Sequence, residues 1–271
     1  YIMKKLLLSV AALFATLCAT AQEQVYVILD DGSALSYPID KVSTLTFDAS
    51  EASTVKGYSD ILKEIDDLKE QCDTLKKYYY LEKGQLVDLG LESGTLWATY
   101  NVGATKPEEY GSYFAWGETE VKDTYPLDDS KWGGVPYTAL QQDGIIDNNR
   151  NLTAEYDAAT VNWGEDWRMP TFDEIEELVE LEAESTAVNG VQGLLFHGKG
   201  DKSDNILFIP FVGRRYGSEL EHDGQYGYYW PATADWDDMK AYFLYVNKIR
   251  GGSNINDRGY GHSVRAVLRS K

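Results

Sequence analysis

Residues 158–178 read AATVNWGEDWRMPTFDEIEEL, and this stretch decides how the C-terminal part of the chain folds. Pro170 and Thr171 precede an amphipathic run, and Thr171 followed by Glu174 has the spacing of a capping box. The stretch therefore predicts a helix that begins after Thr171. Its apolar residues recur on one narrow side and most of its surface is acidic, so we expect it to pack against a sheet along a single stripe.

Basic and aromatic side chains flank this helix and its domain core. Arg168 stands just before the helix, and we expect it to pair with a helix carboxylate or a backbone carbonyl. Trp163 and Trp167 are expected to wedge the helix against a sheet. Arg265 lies in an apolar strand-like run near the C-terminus and is expected to be a paired, partly buried arginine. These residues are therefore interpreted as structural rather than ligand-binding.

Short strand-like runs occur throughout residues 84–271, before and after the helix. Gly, Asn and Asp residues separate the runs, as is typical of turns and loops. The pattern predicts one loop-rich α+β domain with short antiparallel strands and one capped helix. The predicted strands are residues 85–89, 95–102, 112–116, 206–212, 228–230, 241–247 and 263–268.

Residues 1–21 have the pattern of an export signal. Lys4 and Lys5 form a charged segment, residues 6–17 form an apolar segment, and residues 19–21 (ATA) form a cleavage site of small residues. The apolar segment is too short to span a bilayer comfortably. We therefore expect a cleaved signal peptide, no membrane insertion afterwards, and export to the periplasm, the outer surface or the medium.

The two cysteines qualify this interpretation. Cys18 allows a lipidated anchor instead, but a lipoprotein signal needs a small residue before the cysteine, and Leu17 stands there. Simple cleavage is therefore favoured. Cleavage leaves Cys72 as the only cysteine, so a mature chain cannot form an internal disulfide.

Two small units precede the domain. Residues 22–50 predict a β-hairpin unit with an Asp-Gly turn. Residues 54–81 predict a helix in which large or apolar side chains recur from position 58 to position 79 with heptad spacing. Two interpretations fit this helix. It is either a coiled coil that forms a homo-oligomer through residues 58–79, with Cys72 able to form an interchain disulfide, or an amphipathic helix packed on its own domain.

The composition limits the classes of partner. Forty-four acidic and 25 basic residues give a formal net charge of −19, which repels nucleic acid and anionic lipid. Twenty tyrosines and seven tryptophans suit a compact core and also flat binding surfaces, since these rings combine an apolar face with a hydrogen-bonding tip. We expect most of the rings to lie in the core.

Four stretches of the domain together resemble a known family. Residues 87–118 (VDLGLESGTLWATYNVGATKPEEYGSYFAWGE), 158–178, 226–234 (YGYYWPATA) and 260–267 (YGHSVRAV) are similar, in this order, to the Fibrobacter succinogenes major paralogous domain. The resemblance covers about the last two thirds of the chain. It implies an exported Bacteroidetes protein with a C-type-lectin-like fold, related to that of the formylglycine-generating enzymes. A related collagen-like adhesin implies, by analogy, a glycan-binding head on a helical stalk.

Residues 84–271 lack the groups that the related enzymes need. An oxidase of the formylglycine-generating type requires two thiols, and this stretch has no cysteine. The non-haem-iron relatives need three histidine ligands, whereas His197, His222 and His262 are widely spaced. No G-x-S-x-G motif occurs, and residues 236–238 (WDD) resemble the calcium-binding element of animal lectins only loosely. We therefore expect no catalysis, no cofactor and no metal.

The remaining expectation is a binding surface made by polar and aromatic loops. Sugars stack on exposed rings and form hydrogen bonds with Arg, Asn and Asp side chains. The sequence predicts an exported, adhesin-like protein that recognises a glycan or a surface protein. A structural component of an envelope or extracellular assembly and an unrecognised hydrolase are the alternatives. The candidate ligand-binding residues are Arg215, Tyr216, Tyr226, Trp236, Asp237 and Tyr260.

Overall fold

The chain separates into two units, residues 1–71 and residues 72–271. In the first unit, strand β1 (Gln24–Ile28) pairs antiparallel with strand β2 (Ala34–Pro38), within the segment for which the sequence predicts a β unit. The computed structural model describes residues 24–28, 34–38, 63, 65, 66, 69, 84–236 and 239–268.

Several N-terminal predictions lie outside the described residues. The four described residues of the predicted heptad segment are helical, and among them Lys69 Nζ lies 3.2 Å from Asp66 on an exposed surface. The two interpretations of this helix stay predictions. The features outside the described residues are the signal sequence 1–21, Cys18, Cys72 and the remaining positions of the segment 58–79.

Short helices and strands joined by long loops form the second unit. Its helices are α1 (Tyr137–Gln142), α2 (Ala158–Trp163) and α3 (Phe172–Val179). Among the described residues, no helix has the length and apolar character needed to cross a membrane. The strands follow in chain order: β3 (Leu86–Asp88), β4 (Leu96–Ala98), β5 (Tyr113–Phe114), β6 (Trp167–Arg168), β7 (Ala183–Val188), β8 (Val191–His197), β9 (Ile206–Pro210), β10 (Arg214–Tyr216), β11 (Glu219–Glu221), β12 (Tyr226–Tyr229), β13 (Lys240–Asn247), β14 (Gly251–Asp257), β15 (His262–Ser263) and β16 (Val267–Leu268).

The strands of this unit form several small sheets. One has five strands in the order β14-β13-β12-β15-β5, another has four in the order β3-β4-β16-β6, and a third has the order β7-β8-β9. Strands β10 and β11 form a separate hairpin. Strands β12 and β15 run parallel, and the other neighbours are antiparallel. Helices beside mainly antiparallel sheets make an α+β domain, which confirms the predicted class.

The five-stranded sheet separates two hydrophobic clusters. Successive side chains of a strand point to opposite faces. On β13, Phe243 belongs to a cluster with Trp116 and Trp230, whereas Leu244 belongs to a cluster with Ile175 of α3. We call these the Trp230 cluster and the Ile175 cluster. All five side chains are buried, so both faces of this sheet contribute to the core.

Helix α3 has the predicted capping box, since the Thr171 hydroxyl accepts from the Glu174 amide at 3.3 Å and the Glu174 carboxylate accepts from the Thr171 amide at 2.8 Å. Arg168 donates two hydrogen bonds to the same carboxylate, at 2.5 and 2.6 Å, as expected from the sequence. The Thr95 hydroxyl is a second side chain that donates to this carboxylate, at 2.6 Å. Burial raises the pKa of Glu174, but the hydrogen bonds and charge of Arg168 outweigh burial and hold that pKa below its ordinary value.

The expectation that two tryptophans wedge this helix against the sheet is wrong. Trp163 and Trp167 pack edge to face with ring centres 5.0 Å apart, at the end of α2. Trp167 belongs to the Trp230 cluster, on the far side of the five-stranded sheet from the buried stripe of α3. Helix α3 packs on β13 and β14 instead, because its small apolar stripe fits directly against them.

Arg265 is paired as expected, but it is fully rather than partly buried. Its Nε donates to Asn101 Oδ1 at 2.8 Å, and its Nη1 donates to the Ala98 carbonyl at 3.1 Å. Burial lowers the pKa of Arg265 to about 10, partly offset by Tyr229. The guanidinium therefore remains charged at neutral pH inside the core and links the loop at Asn101 to the last strands.

Several element predictions also need correction. Within residues 84–236 and 239–268, two α-helices, α1 and α2, occur besides the one predicted there. The predicted strand 95–102 is shortened to β4, and the predicted strand 263–268 is divided because the chain passes from the five-stranded sheet at β15 to the four-stranded sheet at β16. Strands β7 and β8 lie outside the predicted strands. Asn189 and Gly190 join them with positive φ angles of 49° and 86°, and an Asn-Gly pair is the sequence signal for such a hairpin.

Candidate functional site

Alternate residues of the five-stranded sheet form an open aromatic groove. Tyr228 of β12 lies opposite Tyr245 of β13, which lies opposite Gly252 of β14, and Phe243 lies opposite Asn254. Directly opposed residues of antiparallel strands share a face, so these side chains lie on one side of the sheet. This surface, called the tyrosine groove below, has a volume of about 230 Å³ and is lined by Tyr226, Tyr228, Phe243, Tyr245 and Asn254.

A glycine allows the Tyr245 ring to lie close to the backbone of β14. A Cβ atom at Gly252 would lie 2.5 Å from the Tyr245 hydroxyl oxygen and 2.6 Å from its Cζ. Any other residue at this position would displace the ring or the strand. The absence of a side chain at Gly252 therefore positions Tyr245 as one wall of the tyrosine groove.

A buried histidine lies beneath the groove. The His262 ring stacks on Trp230 with centres 3.9 Å apart and lies 5.5 Å from the Tyr228 ring. Its Nε2 lies 3.5 Å from Asn256 Nδ2, and its buried Nδ1 has no hydrogen-bond partner among the described residues. Burial, with a smaller contribution from the positive charge of Arg214, lowers the pKa of His262 well below its ordinary value. His262 is therefore a neutral ring at physiological pH and supports Tyr228 from below.

A second histidine holds the hydroxyl of Tyr228. His222 Nδ1 and Tyr228 Oη are 2.9 Å apart, and the His222 ring centre lies 5.6 Å from that of Tyr226. His222 is exposed and has a positive φ of 59°, which is uncommon for a residue other than glycine. Its contacts hold the two β12 tyrosines at the rim of the groove.

Arg214 extends the aromatic surface beyond the groove. Its guanidinium lies 5.3 Å from the Tyr228 ring centre and 4.2 Å from that of Tyr260. Tyr260 lies 5.4 Å from Tyr216, whose side chain is exposed. The Arg214 Nε donates to Glu221 Oε2 at 2.9 Å, so a carboxylate neutralises this cation. The result is a row of rings that runs from the groove to Tyr216.

The structure brings together three of the predicted ligand-binding residues. Tyr226 lines the groove, and Tyr216 and Tyr260 lie in the row that Arg214 connects to it. Arg215 lies elsewhere, because alternate residues of β10 point in opposite directions. Its guanidinium lies 5.3 Å from the Tyr113 ring, and its backbone pairs with Gly261.

Trp236, another of the predicted residues, lies apart from the groove. Trp236 is 63% exposed, and Arg150 lies 3.9 Å above its ring while Tyr137 approaches edge-on at 5.6 Å. Arg150 also lies 6.0 Å from Tyr242, which points to the opposite face of β13 from the groove. Trp236 therefore belongs to a separate exposed cluster. Asp237 lies outside the described residues.

Sequence reasoning misses several residues of the groove. Phe243 and Tyr245 lie outside the loops in which the sequence places candidate residues, which are 214–216, 226–229, 236–238 and 254–260. Tyr228, Asn254 and Arg214 lie within those loops but are not among the six residues chosen from them. The period-two spacing of aromatic residues in β12 and β13 is the signal for a shared face. The sequence does not contain the register that brings the two strands and β14 together, and so the groove cannot be assembled from the pattern alone.

The groove offers stacking surfaces and hydrogen-bonding groups but no carboxylate among its lining residues. In the part of the chain that the structure describes, no three His, Cys, Asp or Glu side chains lie close enough to hold a metal ion. Tyrosine rings stack on flat apolar faces, and their hydroxyls, with the Asn254 amide, donate and accept hydrogen bonds. Comparison with protein-family models, curated proteins and solved structures finds no match for this chain.

Proposed function

We propose that this chain is an exported, non-catalytic binding protein whose C-terminal unit recognises a glycan through the tyrosine groove. The observation that carries this proposal is the placement of Tyr226, Tyr228 and Tyr245 side by side on an open sheet face, next to the amide of Asn254. Sugar rings have flat apolar faces edged by hydroxyls, and this combination of rings and polar tips complements them.

The size and shape of the groove favour a segment of a longer glycan. Its volume of about 230 Å³ lies below the ~300–1,000 Å³ of pockets that enclose a whole small ligand. The row formed by Arg214, Tyr260 and Tyr216 continues from it along the surface. A polysaccharide could therefore occupy the groove with one part and extend over the row with the next.

The absence of acidic groups from the groove lining supports a non-catalytic role. Glycoside hydrolysis uses two carboxyl groups on either side of the bond that is cleaved, about 5 to 10 Å apart. The five residues that line the groove are four aromatic residues and one asparagine. A ligand held there meets no acid–base pair from those residues, so binding without turnover is the activity that this lining supports.

The proposal extends to the fold family and the location of the protein. The four motif stretches that resemble the Fibrobacter succinogenes major paralogous domain support a C-type-lectin-like assignment, and the pattern of residues 1–21 supports export. We also propose a homo-oligomer through residues 58–79. The helical state of the four described residues in that segment and the heptad spacing of the sequence support it.

A glycan array probed with the full chain tests the function, followed by titration of the best ligand with variants. Tyr245→Ala should weaken binding about tenfold, a loss of ~1.4 kcal/mol. Trp236→Ala is the control, because it removes an exposed aromatic ring from the separate cluster. Failure of the folded chain to retain any glycan, or a loss with Trp236→Ala but not with Tyr245→Ala, would contradict the proposal.

A further inference from the structure

We propose that the ligand of the tyrosine groove is an acidic polysaccharide whose carboxylate or sulfate is bound by Arg250. This inference rests on the proposed function and adds the charge of the ligand and the residue that selects it. Its basis is the distribution of charge on the groove face, which differs from that of the whole chain.

The backbone pairing places Arg250 on the same face as the groove. Residues Val246 and Gly251 are partners in the β13–β14 ladder, and the Asn247 amide donates to the Arg250 carbonyl at 3.0 Å. Arg250 immediately precedes β14, and this hydrogen bond extends the pairing of the two strands to it. Continuing the alternation of β14 back by one residue places Arg250 on the face of Gly252 and Asn254. A strand rises about 3.4 Å per residue, so the Arg250 and Gly252 Cα atoms are ~7 Å apart, at the open end of the groove.

The hairpin that carries Arg250 is well defined. The side-chain oxygen of Asn247 accepts hydrogen bonds from the amides of Ile249 and Arg250, at 2.8 and 3.1 Å. Asn247 also lies opposite Tyr226 of β12, which lines the groove. The same asparagine therefore fixes the tip of the hairpin and lies beside the groove, and the exposed Arg250 side chain starts from a position with little backbone freedom.

The groove face is free of acidic residues in a strongly acidic chain. The chain carries 44 acidic residues and a formal charge of −19. Yet the described positions of β12, β13 and β14 that share the groove face hold only aromatic residues, glycine, alanine and asparagine. An acidic ligand is repelled by most of this protein's surface, whereas these strand positions carry no like charge.

Arg250 is available to a ligand, whereas Arg214 is not. Glu221 lies 2.9 Å from the Arg214 Nε and neutralises it. Arg250 forms no ion pair with any residue in the ranges 84–236 and 239–268. Its planar guanidinium matches the geometry of a carboxylate or sulfate. Lys248, exposed in the same hairpin loop, adds a second positive charge nearby.

The two recognition elements fit an acidic sugar chain. A sugar ring stacked against Tyr245 leaves its substituents at the edge of the groove, and Arg250 lies directly before β14, two residues from Gly252. A carboxylate on that ring or a sulfate on its neighbour would then reach the guanidinium. A neutral glycan would use the rings alone and bind more weakly.

The test is a titration of the full chain with three polysaccharides: hyaluronan, which carries carboxylates, dextran sulfate, and neutral dextran. We expect hyaluronan or dextran sulfate to bind and dextran to bind at least tenfold more weakly, and the better of the two polyanions identifies the anionic group. Arg250→Gln should reduce the affinity for that polyanion about tenfold and flatten its salt dependence. Lys199→Gln is the charge-matched control, since the Lys199 amide pairs with Leu89 of the Ile175 cluster, on the opposite side of the sheet.

The outcomes separate this inference from the proposed function. If neutral dextran binds as well as the polyanions, or Arg250→Gln behaves like Lys199→Gln, the acidic ligand is wrong while glycan binding stands. If Tyr245→Ala leaves polyanion binding unchanged, the polymer binds elsewhere and both proposals are wrong. Binding that requires both Tyr245 and Arg250 supports both.

Discussion

At the level of single residues, the groove depends on the absence of a side chain at Gly252. Gly252→Ala adds one methyl group where Tyr245 now lies, at 2.5 Å from the hydroxyl oxygen. We expect the Tyr245 ring to move and glycan affinity to fall about as far as in Tyr245→Ala, although no lining side chain has been removed. Gly134→Ala is a suitable control, because a Cβ there meets nothing within 4 Å and the backbone φ of Gly134 is not positive. Equal affinity of Gly252→Ala and the unaltered chain would show that Tyr245 is not a wall of the binding site.

His262 makes the stability of the protein depend on pH. Its pKa in the folded protein lies well below its ordinary value because the ring is buried, whereas an unfolded histidine titrates near ~6.5. Above that pH both states are neutral at this residue. As the pH falls below it, the unfolded state takes up a proton that the folded state does not, and the free energy of unfolding decreases by up to ~1.4 kcal/mol per pH unit from this group.

Urea denaturation between pH 7.5 and pH 5 measures this effect. His262→Gln should reduce the dependence of the unfolding free energy on pH, whatever its effect on stability at pH 7.5. Val161→Ala, which alters an exposed apolar side chain and no titratable group, should keep the original dependence. Parallel pH profiles for His262→Gln and the unaltered chain would contradict the assignment of a depressed pKa to this ring.

The side-chain contacts that the sequence predicts correctly join residues that are close together along the chain. Arg168 and Glu174 lie six positions apart, on either side of the start of helix α3. They meet because the capping box at Thr171 fixes the first helix turn between them. Tyr245 and Gly252 also lie close in sequence, but their contact depends on where the hairpin turns. Residues 248–250, which join β13 to β14, carry no strong turn signal. The pairing of Tyr245 with Gly252 therefore follows from the strand register and not from the sequence pattern.

At the scale of elements, helix α3 depends on one carboxylate. Eight residues form too short a helix to be stable alone. Glu174→Gln should destabilise the domain by about 3 kcal/mol, because it removes the partner of the partly buried Arg168 and weakens the cap. Glu180→Gln, at the exposed end of the same helix, should change the unfolding free energy by less than ~0.5 kcal/mol. Urea denaturation at neutral pH distinguishes the two, and similar midpoints would contradict the role given to Glu174.

The predicted elements are those whose sequence pattern agrees with their packing. Helix α3 has a capping box and an apolar stripe. The side chains of β13 point alternately into the Trp230 cluster and the Ile175 cluster. Strand β14 reads GGSNIND, which lacks such a pattern, and it forms a strand because β13 pairs with it along seven positions. Tertiary pairing overrides local preference there, and this strand completes the groove.

At the scale of the whole molecule, the groove lies where the Trp230 cluster reaches the surface. Phe243 and Tyr228 belong to that cluster and also line the groove, so the core and the binding face share side chains. The opposite face of the same sheet is covered by the Ile175 cluster and α3. One side of the sheet is therefore fully closed and the other opens at the end formed by β12, β13 and the hairpin tip.

The composition of these clusters predicts that residues 84–271 fold without the preceding unit. Every member of both clusters among the described residues lies between residues 86 and 268. The isolated fragment should therefore unfold cooperatively within a few degrees of the transition of the full chain, as followed by near-ultraviolet circular dichroism. It should bind a short glycan with the same affinity as the full chain but bind immobilised polysaccharide less tightly, since avidity requires the oligomer proposed for residues 58–79. A transition lowered by more than about 8 °C, roughly 2 to 4 kcal/mol for a domain of this size, would mean that the preceding unit stabilises the domain.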